Sequence, residues 1–316
     1  MGYIADNIPL QGAGYGIRTH FGVWLPPGSR VAAYVRSTGT QDGDDAAIVD
    51  KIVPTLASGL ARCRSGLGDT VICLPGHSES VADATMLDAL VPGTKIIGVP
   101  LGTATPTFRW TATASQWILN DANVTIAGLR LRLEGANGVV KAIVCTAADN
   151  QIVDCDIQVA SGATAKSTIA IEAGTGAEKF VLAGCRLFGT ATHNVTDGVK
   201  VVGAISDWTI RDNRMIFSAT ADNGNIHVTA AALNGHITGN ELYNTHTSST
   251  ACIKFDDVAS DGICSYNSLA TAVGTGTAPA AAGIVLAGTN TLWRFFQNMS
   301  TPTKNTSGIV CPVVDS

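Results

Sequence analysis

The chain has 316 residues, a formal net charge of -5 and only 14% charged residues, so it lacks the basic excess that a nucleic-acid partner would require. No apolar run approaches the ~18 residues of a membrane span, and none is expected. The start, "MGYIADNIPL", has no charged region followed by an apolar core, so a secretory leader is not expected either.

In chain order, residues 1–43 come first, containing "GAGYGIRTHFGVWLPPGSRVAAYVRSTG", rich in Gly and Pro and matching no later repeat. They read as an arm or attachment region in which Arg18, Phe21, Trp24 and Leu25 offer the mixture of apolar and polar anchors that suits docking on a protein surface. Residues 44–65 follow. "DDAAIVDKIVPTLASGLARC" predicts a helix with Asp44 or Asp45 as N-cap and Ile48, Ile52, Leu56 and Leu60 on one face. Pro54 should kink or divide it.

From residue 66 to 316 the chain repeats. The skeleton of "DWTIRDNRM" returns in "NGHITGNEL", and a column can be followed through Leu129, Cys155, Cys185, Asn213, Asn240, Asn267 and Asn298, at spacings of 26, 30, 28, 27, 27 and 31 residues. Apolar pairs run in step with it, among them Ile143/Cys145, Ile169/Ile171, Val199/Val201, Ile226/Val228 and Ile253/Phe255. Each period holds short alternating runs separated by Gly, Asn, Thr and Ser, with no room for a helix. Helical repeats are excluded, and propeller blades need longer units. The prediction is an all-β, right-handed, single-stranded parallel β-helix with an N-terminal arm and a short capping helix over its open apolar end. The Asn column is expected to be a buried ladder at a corner, with Asn itself in the left-handed conformation and its amide bonded to the Asn above and below.

The cap-like helix, "GDTVICLPG", "TKIIGV" and the Asn column together resemble the right-handed parallel β-helix of the pectate-lyase-like class, particularly its bacteriophage virion versions. That class includes lyases, hydrolases, tailspikes and non-enzymatic head fibres or decoration proteins, so the resemblance specifies the fold and leaves activity open.

For chemistry, the strand read as the first of each coil presents outward rows. They are read as Val144, Ala170, Lys200, His227, Lys254, Val285 and Val310, and then Thr146, Glu172, Val202, Thr229, Asp256, Ala287 and Pro312. Sugar hydrolysis needs two carboxylates about 5 to 9.5 Å apart, whereas Glu172 and Asp256 fall three coils, roughly 14 Å, from each other. Asp256, Asp257 and Asp261 with His227 are the remaining candidate for catalysis; solvated turn chemistry is the competing reading. The Lys200, His227, Lys254 stripe could grip an anionic glycan or simply pair with Asp256. Asp156 with Arg186, and Arg214 with Glu241, are expected as coil-to-coil ion pairs. The eight Cys lack metal-ligand spacing and read as reduced thiols, and no metal or cofactor is expected.

The function expected is that of a non-enzymatic virion protein made in a bacterial cytoplasm, a head decoration or short fibre protein. Its partners would be two copies of itself, through the outward Val144, Ala170, Val285 and Val310 with Val202 and Ala287 in the adjoining row, and other virion proteins such as the major capsid protein, through the arm. The alternative is a tailspike-type receptor-binding protein or depolymerase acting on host polysaccharide.

Overall fold

The computed structural model describes residues 17–18, 24–25, 30–38, 49–101, 103–133, 138–162, 166–189, 195–219, 223–246, 251–257, 259–271, 283–287, 292–300 and 313–315. They form an all-β parallel β-helix of about seven turns with almost no helix. Its hand is the right-handed one that parallel crossovers adopt.

Three parallel sheets run the length of the solenoid, with eleven, nine and eight strands among the described residues. One coil illustrates the path: Thr209–Arg211 in the first sheet, Arg214–Phe217 in the second, Ile226–Val228 in the third. Each strand pairs with its equivalents one coil away. In the first sheet Ile210 lies between Leu182 and Ile237, and in the second Met215 lies between Leu187 and Leu242. Because side chains alternate, each apolar residue of a run enters the interior and stacks on its counterparts, giving one continuous core. Aromatic clusters thicken that core in the early and late coils. Trp117 packs on Phe108 and Trp110 with ring centres 5.0 and 5.1 Å away, and Trp293 lies 4.3 Å from Phe255 and 5.9 Å from Trp208.

The corner between the first and second sheets carries the Asn column. Asn240 Oδ1 accepts from both the backbone N–H and the Nδ2 of Asn213, each at 3.0 Å, and Asn267 does the same for Asn240 at 3.0 and 2.9 Å. Asn298 closes the series with contacts to Asn267 at 3.1 and 2.9 Å. All four are buried. The column continues into Cys185, whose N–H donates to Asn213 Oδ1 at 2.9 Å, and Cys155, whose N–H reaches Cys185 Sγ at 3.4 Å.

The left-handed residue, however, is not the Asn. It is the residue before each column member: Gly128, Asp154, Gly184, Asp212, Gly239, Tyr266 and Gln297 all have φ between 48° and 68°. Gly alternates with Asp for a steric reason, since a Cβ on Gly184 would stand 2.4 Å from Asp154 Oδ1 and one on Gly239 2.6 Å from Asp212 Oδ1. The Asn is thus freed to point inward and bond.

The N-terminal region departs from expectation in two places. Val31–Val35, assigned above to the arm, is a fully buried strand of the first sheet, pairing with Thr70–Cys73 and with Ile52–Val53. The predicted helix over 44–65 is broken up. Among its described residues Val49–Lys51 is a 3-10 turn, Ile52–Val53 a strand, and only Leu56–Leu60 an α-helix. Pro54 separates strand from helix, and the N-cap is Thr55, whose hydroxyl accepts from the Ser58 N–H at 3.2 Å. Asp44, Asp45 and Ile48 lie outside the described residues. Leu56 and Leu60 are fully buried, and a Cβ on Gly59 would meet Val71 at 2.9 Å and Val35 at 3.1 Å, so the short helix sits tightly on the end of the core. In the arm, Ile17–Arg18 pairs antiparallel with Trp24–Leu25; Phe21 and the side chains of Arg18, Trp24 and Leu25 lie outside the described residues.

Candidate functional site

The polar cluster on the outer face of the third sheet is the first candidate. Its register differs from the reading above: the row runs Val144, Glu172, Lys200, His227, Lys254, Val285 and Val313. Glu172, not Ala170, stands beside Lys200, and Ala170 is buried in the core. The cause is a break in alternation. A Cβ on Gly198 would strike the Phe217 ring and Val199 is also in the core, so two consecutive residues face inward. That brings the preceding row, Lys141, Ile169 and Asp197, round to the outer face.

The two rows close on one another. Lys141 Nζ lies 2.8 Å from Glu172 Oε1, and Asp197 Oδ1 2.6 Å from His227 Nδ1. His227 Nε2 lies 2.7 Å from Asp256 Oδ2, whose Oδ1 faces Lys254 Nζ at 3.2 Å, while Lys200 Nζ is 3.4 Å from Asp197 Oδ2. One buried imidazole therefore bridges carboxylates from the coils on either side of it. Burial alone would raise the Asp256 carboxyl, but hydrogen bonds and charge from His227 and Lys254 hold it below its ordinary value.

Of the predicted catalytic group, only His227 and Asp256 meet. Asp257 Oδ1 accepts from the Ala259 N–H at 2.7 Å in its own turn, and Asp261 belongs to the corner before the first sheet, where it accepts from the Asn234 N–H. Asp197 and Lys141 were missed in the sequence. Their one signal is a charged residue three positions before an outward residue of the same strand. Among the described residues no group of three or more His, Cys, Asp or Glu is placed to hold a metal ion.

The apolar outward stripe expected on this sheet is not exposed. Val144 and Val285 are 8% exposed, and Ala170 is not exposed at all because it faces the core. Val310 and the Ala287 side chain lie outside the described residues. On the second sheet the expected ion pairs form: Arg186 with Asp156 at 3.5 Å and Arg214 with Glu241 at 3.0 Å. No described helix is long and apolar enough to cross a membrane.

No family model matches the sequence, and no curated protein matches it. Among solved structures, the chain is similar to a variant of sacteLam55A from Streptomyces sp. SirexAA-E in complex with glucose, at TM-score 0.53 and 12% identity, over 97% of this chain. It spans 60% of that structure's length. An alginate lyase from Paenibacillus sp. str. FPU-7 is matched at TM-score 0.35 and 12% identity, over 77% of this chain and 92% of the lyase. The first likeness is one of fold: a parallel β-helix shared with a sugar-bound protein.

Proposed function

We propose that the chain is a non-enzymatic structural protein of a bacteriophage particle, a head decoration or short fibre protein, homotrimeric and joined to its neighbours through the N-terminal arm. The observation that carries this reading is the neutralised polar face. Glu172 is paired with Lys141, Asp197 with His227 and Lys200, and Asp256 with His227 and Lys254. A glycosidase needs one carboxyl held protonated and a second carboxylate free to face the sugar, whereas here Asp256 is biased towards its charged form and engaged by both His227 and Lys254. Such an array stiffens a rod. With the third sheet's apolar row already covered, the trimer contact falls to the second sheet. There Phe188, Ile216 and Tyr243 form an outward row beside charges that pair within the same chain, so a second copy would bury it without stranding a charge.

A second reading, a receptor-binding protein or depolymerase acting on host surface polysaccharide, is favoured by the fold shared with the glucose-bound sacteLam55A variant. Two experiments address the pair. Deleting residues 1–29, which spares the strand at 31–35, is expected to leave a folded oligomer that fails to join particles; normal incorporation contradicts attachment through the arm. A reducing-end and unsaturated-product assay on the host's surface polysaccharide is expected to be blank, and turnover abolished by Asp256→Asn would establish the second reading instead.

A further inference from the structure

A recess of about 260 Å³ opens on the outer face of the first sheet in the late coils, away from the His227 cluster. In the register of that sheet His236, Ile263 and Arg294 occupy successive rungs, and Asn234, Asp261 and Leu292 line the adjoining corner. Arg294 and His236 are exposed, and neither side chain has an ion pair or hydrogen bond among the described residues. That sets them apart from the second-sheet arginines Arg130, Arg186 and Arg214, each of which faces a carboxylate.

The remaining walls narrow the chemistry. Asp261 has one oxygen engaged by the Asn234 N–H and its other oxygen without a described partner, while Leu292 is 50% exposed and Ile263 half-buried between the two basic residues. A bare anion would meet the Arg294 guanidinium but be repelled by Asp261. A ring with hydroxyls, an apolar C–H face and one negative substituent satisfies all of these groups at once: the substituent on Arg294, hydroxyls on Asp261 and His236, the C–H face on Ile263 and Leu292. The recess falls below the roughly 300–1,000 Å³ of sites for larger ligands, which points to one ring rather than an oligomer. We propose that it binds a single sugar ring carrying an anionic substituent, with Arg294 as its anchor.

The test uses the isolated full-length chain, so its outcome is separate from incorporation into particles. Glucuronate, glucose 6-phosphate, glucose and inorganic phosphate are titrated by saturation-transfer NMR and calorimetry. At least one charged sugar is expected to saturate at millimolar concentration, at least tenfold more tightly than glucose or phosphate, and the better of the two identifies the substituent as carboxylate or phosphate. Arg294→Gln, a surface change that should leave the melting temperature unaltered, is expected to weaken that binding at least tenfold. Absence of saturation by both charged sugars up to about ten millimolar overturns the proposal, as do equal binding of glucose, equal binding of phosphate, or undiminished binding by the variant.

Discussion

At Asn240 a single amide makes the corner's case. Its Oδ1 serves two donors of Asn213, and its Nδ2 reaches Asn267 Oδ1 and the Ile210 carbonyl at 2.9 Å. Asn240→Val keeps the volume similar but orphans buried donors on Asn213, so a loss on the order of 1–3 kcal/mol is expected, read as a lower urea midpoint. Backbone strain adds nothing there, because the left-handed residue is Gly239. Asp256 gives a pH prediction. Its folded pKa is lowered, so its contribution is complete above the unfolded value of about 4 and is lost as pH falls through the folded value beneath it. Asp256→Asn should therefore reduce stability at neutral pH and flatten its decline over that acid window. An unchanged slope would mean that His227 and Lys254 exert no net hold on the carboxylate.

Among the elements, the strands of the coils were legible because the side-chain period of two and the coil period near 27 residues are both imposed by backbone geometry and leave apolar marks. The corner was legible in position but misread in mechanism: Asn tolerates the left-handed region, yet here the residue before it (Asp212, Gly239, Tyr266 or Gln297) takes that conformation and Asn follows. Less could be read at the cap. Ile52, Leu56 and Leu60 fit a helical face equally well, but Ile52 is drawn into a strand beside Tyr34, whose pairing lies some eighteen residues away in sequence and leaves no local trace. The third-sheet register was hidden for a similar reason, since the inward pair Gly198/Val199 is a packing response to Phe217 from another sheet. Leu56→Ala tests the cap: a loss of about 2–5 kcal/mol is expected, with greater aggregation as the core's end is uncovered. A cost below 1 kcal/mol would mean that the helix covers nothing essential.

For the whole molecule, the solenoid and the glucose-bound structure it resembles share architecture at 12% identity, and fold of that kind hosts many functions. Assembly is testable directly. Light scattering at micromolar concentration is expected to give three times the 32.5 kDa chain mass, and Ile216→Asp on the second sheet to give one. A monomeric wild type would remove the homotrimer, and a trimeric variant would move the contact elsewhere. The central claim, that this rod is built into a virus particle, is tested most directly by cryo-electron microscopy of particles purified from the cells that produce it. The account predicts trimeric β-helical rods at repeated positions on the particle, attached by the end that carries residues 1–43. Particles that lack such rods, while the chain is abundant and free in the same lysate, would contradict it.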